Sequence, residues 1–536
     1  MGSFEAGDGE SVLMSAGLEA LNAFDSPPLV LFGRIVPVSG EAVDDGALYI
    51  RDGKIVAVQT RGAKAPDGFE DVKGVETGGT IYPGMLDLHN HLVYNVIAVW
   101  EVPKRFDNRG EWRSNKSYAE QVKKPLSALA NYPPTIPAIV RYVETKALVS
   151  GTTSMQGMRT VFSKTSKYFT GAVRNFEGTG DKNLPAAETK IDDLTFDDEA
   201  IGKFKNLVES ATKKKGAFFY HMCEGVDDET RGIFTNFVGR KLLDKCIAAI
   251  HCLALNADDF AEFDAAGCHM VWSPLSNSLL YGKTIDPKLL EKRRFTIGCD
   301  WSPSGGKNLL EELKVARLTI KAAKAKVSDR ALVEAVTKNA AAAVGWQKSL
   351  GTLEPGKYAD VLVIAGQDDD PYKHLVLATE KDVRLVLIAG YARYGDEDLM
   401  NEVPSAGDDR EPLTVGGKKK IIDNFDPGSK LEISYGEAQK RLADAMDDLP
   451  AIVNSLQDVL NSVGVAEMPE PLMLDNEGGE DQEASLAGLF ALEAAELPKS
   501  VPLDALTVVD DKIHFDRIEA VGHLPKHLKE LRKLYA

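Results

Sequence analysis

Apolar positions along this chain follow two rhythms. From Pro28 to about Thr77 they form short or alternating runs, LVLFGRIVPV and ALYIRDGKIVAVQ, the second broken at Asp52-Gly53. An Asp-Gly pair between two such runs predicts a β-hairpin, because both central residues of that turn need positive φ. Similar runs return around glycine turns at Gly351–Gly366 and Asp382–Gly395. Fifty residues hold too few strands to bury a face alone. The pattern therefore predicts one small discontinuous β-sandwich domain, from residues 28–77 and 351–400, whose halves flank a large insertion.

The insertion, residues 78–350, alternates apolar strands with helical segments. The strands fall at Ile81–Leu88, Gly151–Gln156, Thr170–Phe176, Gly216–His221, Cys246–His251, His269–Ser273 and Arg294–Asp300. The main helices fall at Ser117–Leu129, Pro137–Ser150, Asp197–Lys215 and Asn308–Ala325. Such alternation predicts a parallel sheet, and its length suits an α/β fold of the (β/α)8 TIM-barrel type. Seven strands are visible, and the eighth is expected within Glu177–Phe196 or between Met158 and Tyr168. Residues 401–536 form an extension, partly helical with an acidic linker over Glu467–Ala484. Leu442, Met446, Leu449, Val453, Leu456, Leu460 and Val463 make one apolar helical face there, with Pro450 kinking it or starting a second helix. Residues 1–27 are a polar N-terminal extension with a short helix expected over Val12–Phe24.

Composition narrows the class of partner. With 536 residues, 44% hydrophobic and 27% charged, the chain is an ordinary globular one of two or three domains. A net charge of −18 argues against nucleic acid, which needs clustered Lys and Arg. Five cysteines with no CxxC spacing form no disulfide framework. The first residues lack the features of a signal peptide, and no apolar run approaches the roughly 18 residues that span a bilayer. A cytoplasmic homo-oligomer acting on a small molecule is expected, with no nucleic-acid or membrane partner.

The chemistry sits at strand ends. His89 and His91 close the strand PGMLDL, and two residues apart on an extended backbone they project to one side. AFFY runs into His221, CIAAI into His251 and RFTIGC into Asp300. A chain with nine histidines would rarely place them so by packing alone. Three imidazoles and a carboxylate suit a borderline divalent ion such as Zn²⁺, with Fe²⁺ and Mn²⁺ as alternatives and one position open to water. Such an ion makes hydroxide available at neutral pH, and Glu224, three residues past His221, is placed to carry the proton.

PGMLDLHNH resembles the first-strand motif of the amidohydrolase superfamily, in the branch of imidazolonepropionase, guanine deaminase and the triazine and adenosine-type deaminating hydrolases. HMCEG at His221–Gly225, IHC at Ile250–Cys252, SPLSN at Ser273–Asn277, CDWSPSG at Cys299–Gly305 and GTLEPGKYAD resemble that branch's later motifs, in order. The resemblance runs from about Pro28 to Gly395. It implies a mononuclear site held by His89, His91, His221 and Asp300, with Glu224 as proton shuttle and His251 hydrogen-bonding the attacking water or the oxyanion. Asp300 would share base duty. TGAVRNFEG ends without the bridging lysine of binuclear members, which implies one metal unless Glu177 bridges a second.

Asn95, Trp100, Arg174, Trp272, Asn277 and Trp301 lie near these motifs and are candidate substrate contacts, core packing being the competing explanation for the tryptophans and pairing with a protein carboxylate that for Arg174. Cys223, Cys252 and Cys299 neighbour the site residues, yet strand alternation turns them away, so packed thiols are expected. The function expected is hydrolysis of a C–N bond in a heterocycle or cyclic amide, as deaminase or cyclic amidohydrolase. The alternatives are an open amide, peptide or carbon–halogen bond on the same scaffold, or a catalytically silent barrel used for binding.

Overall fold

The computed structural model describes residues 25–157, 171–190, 192–405, 409–424, 433–463 and 497–536. The helix expected over Val12–Phe24, the stretch Met158–Tyr168 and the acidic linker lie outside them.

The alternating runs form one sheet of nine strands. β1 (Leu29–Ile35), β2 (Val43–Arg51), β3 (Lys54–Thr60) and β4 (Gly74–Pro83) precede the insertion. The hairpin between β2 and β3 turns at Asp52 and Gly53, with φ of 52° and 70°, as the Asp-Gly pair requires.

Only Gly84 separates the end of β4 from the start of β5 (Met85–Asp87). The run expected as a single strand over Ile81–Leu88 is thus two. Its first half belongs to the nine-stranded sheet and its second to the insertion. Pro83-Gly84 marks the break. A Cβ at Gly84 would lie 2.4 Å from Thr153 Oγ1, so only glycine lets the chain pass there.

Seven further strands follow: β6 (Thr152–Met155), β7 (Arg174–Asn175), β8 (Glu188–Lys190), β9 (Phe218–Met222), β10 (Ile247–His251), β11 (His269–Trp272) and β12 (Phe295–Ile297). All pairings among β5–β12 are parallel, in sequence order, as one arc of β5–β7 and another of β8–β12. The strand missing from the sequence pattern is β8, inside Glu177–Phe196. Only three residues long, it leaves no apolar run to recognise. Backbone hydrogen bonds also cross between the arcs, from Ala187 N to Phe176 O (2.7 Å) and from His91 N to Asp300 O (2.7 Å). Helices between the strands start at side-chain caps that the sequence supplies, Asp197, Asp227, Asn256 and Asn308.

After the insertion come β13 (Val361–Ala365), β14 (Val383–Ile388), β15 (Tyr391–Asp396), β16 (Arg410–Val415) and β17 (Lys418–Asp423). The sheet order is β16-β17-β15-β14-β13-β4-β1-β2-β3, so β13 pairs directly with β4 across the insertion. The ladder is one continuous sheet. It also runs past residue 400, since β16 and β17 fall in the stretch expected to be a partly helical extension. Leu31, Leu48, Ile81, Val363 and Leu385 anchor one buried face of it. Beyond it lie two helices, Tyr435–Asp447 and Leu449–Val463, the second with Pro450 in its first turn. No helix among the described residues is long and apolar enough to cross a membrane.

Candidate active site

The polar centre lies where the first and last strands of the insertion meet. Past β5 the chain runs through His89 to His91. It is held there by a parallel bridge between Asn90 and Asp300 and by Asp300 N donating to His89 O at 2.8 Å. His221 lies within β9 and His251 ends β10. His251 and Asp300 have φ of 67° and 69°, in the left-handed region that costs a non-glycine residue about 1–3 kcal/mol. The turns at these two strand ends aim the side chains at one point.

His89, His91, His221, His251, Glu224 and Asp300 are all buried. His89 Nε2 lies 3.1 Å from His221 Nε2. Asp300 Oδ1 lies 3.4 Å from both His89 Nε2 and His91 Nε2. Donors bound at 2.0–2.1 Å around one tetrahedral ion sit roughly 3.3 Å from each other. The observed edges fit that spacing. Burial, reinforced by the neighbouring cationic groups, drives His89 and His221 well below the ordinary imidazole range, so both present lone pairs at neutral pH. Two neutral imidazoles meeting Nε2 to Nε2 at that distance either share one ring hydrogen or face a cation between them. The residues present therefore fit a divalent ion.

A ring of partners fixes these groups. His89 Nδ1 meets Ser273 Oγ at 2.8 Å. Ser276 donates to Asp300 Oδ2 at 2.6 Å. Burial pushes the Asp300 carboxyl up to about 6, with the nearby histidines opposing and Glu224 adding to the rise. Asp87 accepts from Asn90 Nδ2 (2.9 Å) and from Cys299 N (3.1 Å), bracing the turn between the two histidines. His251 Nδ1 and Asn277 Oδ1 are 3.0 Å apart, so Nδ1 carries the hydrogen and Nε2 faces the site.

Glu224 closes the cluster. Its Oε2 lies 3.6 Å from His251 Nε2 and 3.5 Å from Arg109 Nε. Its Oε1 accepts from Tyr281 Oη at 2.7 Å and from Trp112 Nε1 at 3.3 Å. Trp112 in turn lies beside Trp301, which sits 5.7 Å from the His91 ring and also packs against Tyr94 and Tyr118. One side of the centre is thus an aromatic wall.

The structure brings the six central residues together, with Asn277 beside His251 and Trp301 in the wall. Asn95 stands one step back, donating to Asn90 Oδ1 at 2.9 Å. Trp100 stacks on Phe106 and meets Tyr118 edge to face, and Trp272 packs on Phe295 with its Nε1 on Thr284 Oγ1, so both are packed in the core. Of the two carboxylates open to Arg174, the structure pairs it with one of the protein. Arg174 makes a buried bidentate pair with Asp360, at 2.7 and 3.0 Å, and lies over the Tyr358 ring. Glu177 accepts from Thr189 Oγ1 at 2.9 Å and from Gly157 N at 3.4 Å, and among the described residues it is not in the converging set. Cys223, Cys252 and Cys299 are buried free thiols outside that set. Arg109, Trp112 and Tyr281 escaped the sequence reading because they sit on helices, where no strand end points to them. Asp87 and Ser276 lay inside the motifs singled out, without a signal of their own.

Parallel strands whose ends gather three imidazoles and a carboxylate, with a second carboxylate beside a fourth imidazole, define a metal-dependent hydrolase. The chain belongs to the amidohydrolase family, whose model matches residues 80–393, and it is an enzyme acting on C–N bonds. Among curated proteins it is similar to a 5-methylthioadenosine/S-adenosylhomocysteine deaminase of Moorella thermoacetica. That match is 22% identical over 441 residues, covering 76% of this chain and 97% of the relative. An S-triazine hydrolase of Gordonia rubripertincta is 24% identical over 207 residues, 38% of this chain and 40% of the relative. Among solved structures, an adenosine deaminase from Xanthomonas campestris with bound zinc aligns with TM-score 0.58 and 15% identity, over 82% of this chain and all of that one. The E. coli guanine deaminase aligns at 0.52 and 15%, over 70% and 100%. At such identities the solved structures speak to the fold alone.

Proposed function

We propose that the protein is a mononuclear, zinc-dependent hydrolase of a planar heterocycle, with deamination as its reaction. The observation that carries this reading is the position of Glu224. It faces His251 and is held by Tyr281 and Trp112 beside the set of His89, His91, His221 and Asp300.

These four residues would hold the ion, which supplies an acidified water at neutral pH. Glu224 takes a proton at Oε2 and returns it to the departing nitrogen, while Tyr281 and Trp112 keep Oε1 engaged. His251, with its hydrogen on Nδ1 toward Asn277, turns the bare Nε2 into the site, where it accepts a hydrogen bond from the attacking water and orients it. The Trp301 side offers a flat aromatic surface on which a planar ring can stack. Relatives named as deaminases support the same chemistry.

The scaffold is read as a (β/α)8 barrel set into a discontinuous β-domain. The hydrogen bonds at both seams between the arcs support the first part, and the pairing of β4 with β13 supports the second.

The test is ammonia release by the zinc-loaded protein across aminated purine, pyrimidine and triazine compounds, alongside chlorinated triazines and acylated amino acids. Ammonia from a planar amidine is expected, abolished by a chelator and restored by Zn²⁺ at near one ion per chain. Halide release or open-amide cleavage without ammonia would sink the deaminase assignment. Absence of bound metal would sink the site itself.

A further inference from the structure

The family match stops at residue 393, yet the chain returns to the site far beyond it. Leu503 bridges Ile97, Asp504 N donates to Val96 O at 2.9 Å, and Tyr142 Oη donates to Asp504 O at 2.6 Å. These contacts place the Asp504 carboxylate, fully buried, between the ammonium groups of Lys146 and Lys307, with an ion pair to each.

Lys146 is the link to the site. An ammonium has three hydrogens to donate, and Lys146 Nζ has three acceptors: Asp504 Oδ2, Asn95 O at 2.9 Å and Ser302 Oγ at 2.8 Å. Asn95 follows His91 by four residues and Ser302 follows Asp300 by two. Ser302 N also donates to Asn95 Oδ1 at 2.8 Å, and Asn95 Nδ2 reaches Asn90, between the two histidines. One buried ammonium therefore staples the loop carrying His89 and His91 to the loop carrying Asp300.

We propose that Asp504 is a positioning residue for the metal centre, acting through Lys146 on the two loops that supply three of its four ligands. Asp504 provides the charge that keeps Lys146 a triple donor. Even with that carboxylate in place, burial and the charge of Lys307 bring the Lys146 ammonium down to about 8. Without it, Lys146 keeps only the electrostatic support of Asp511 against the charge of Lys307, and its Nζ loses the anchor that fixes it on Asn95 O and Ser302 Oγ. The C-terminal segment thereby becomes part of the site's construction.

The inference rests on the metal-centre reading, so the experiment reads metal binding directly. Full-length wild type and Asp504→Asn are stripped of metal and titrated with Zn²⁺ against a chromophoric chelator, well below the unfolding temperature of each apoprotein. Asp504→Asn is expected to hold Zn²⁺ about tenfold more weakly, the lower end of what outer partners of metal sites carry. A lowered unfolding temperature with unchanged Zn²⁺ affinity would show a merely structural tie and overturn the proposal. Should Asp504→Asn not fold, Ser302→Ala removes an acceptor of Lys146 and leaves both ion pairs. Weaker Zn²⁺ binding by Ser302→Ala supports the staple, and wild-type affinity overturns it. Wild type that takes up no Zn²⁺ fails the metal-centre reading itself and the inference with it.

Discussion

Tyr281 points its hydroxyl hydrogen at Glu224 Oε1 across 2.7 Å, and Trp112 Nε1 meets that same hydroxyl at 2.9 Å. The proton-carrying residue therefore has one oxygen committed to structure and one facing His251. Tyr281→Phe removes the constraint and keeps the shape. Its kcat is expected to fall about tenfold with metal content intact, measured by steady-state kinetics and metal analysis. Glu224→Gln is expected to fall further, by about 10²–10⁴-fold, again with metal retained. Unchanged turnover in Glu224→Gln would remove that residue from the reaction.

Asn277 controls His251 through one hydrogen bond. Asn277→Ala frees the ring to rotate and to exchange tautomers, so kcat is expected to drop about 10-fold or more while substrate KM moves little. A rise in KM with a matching fall in kcat/KM at constant kcat would assign Asn277 to substrate binding.

Arg174 illustrates the opposite outcome. Arg174→Met leaves Asp360 buried without its counter-ion, and breaking such a pair costs about 3–5 kcal/mol. Denaturant unfolding should show that loss. The folded enzyme, assayed at low temperature, should keep the wild-type KM, since Arg174 meets Asp360 and Tyr358 and not the centre.

Acid should reach the C-terminal tie at low pH. Burial alone would raise the Asp504 carboxyl, but Lys146 and Lys307 outweigh it and hold it at about 2. A carboxyl depressed in the folded state stabilises the fold fully above its unfolded value, roughly pH 4, and loses that contribution as pH falls toward 2. The difference in unfolding free energy between wild type and Asp504→Asn should therefore shrink as pH falls from 4 to 2. A gap independent of pH would mean that the carboxylate is uncharged in the fold.

The strand ends were legible in the sequence because buried parallel strands read as apolar runs, and His221, His251 and Asp300 each interrupt one. The short strands were not. β8 is Glu-Thr-Lys, a polar tripeptide placed by its partner β9, and nothing local announces it. The split of β4 from β5 was equally hidden, because a strand changing sheets at Pro83-Gly84 keeps the same apolar rhythm on both sides. The hairpin β16–β17 was lost in a polar stretch, where Lys418, Lys419 and Lys420 mask the alternation. The partner of Arg174 was hidden for a related reason. That partner, Asp360, lies far away in sequence, and a buried ion pair looks like two unexplained charges until the chain is folded.

β4 pairs with β1 on one side and with β13 on the other, and nearly the whole insertion is synthesised between Pro83 and Val361. At 5–20 residues per second a ribosome leaves that edge open for on the order of 10–60 s. An apolar strand edge waiting that long is a template for wrong pairing. Chains truncated before β13 should accordingly accumulate as aggregates, and the late strand that seals the edge makes production of this enzyme sensitive to chaperone supply.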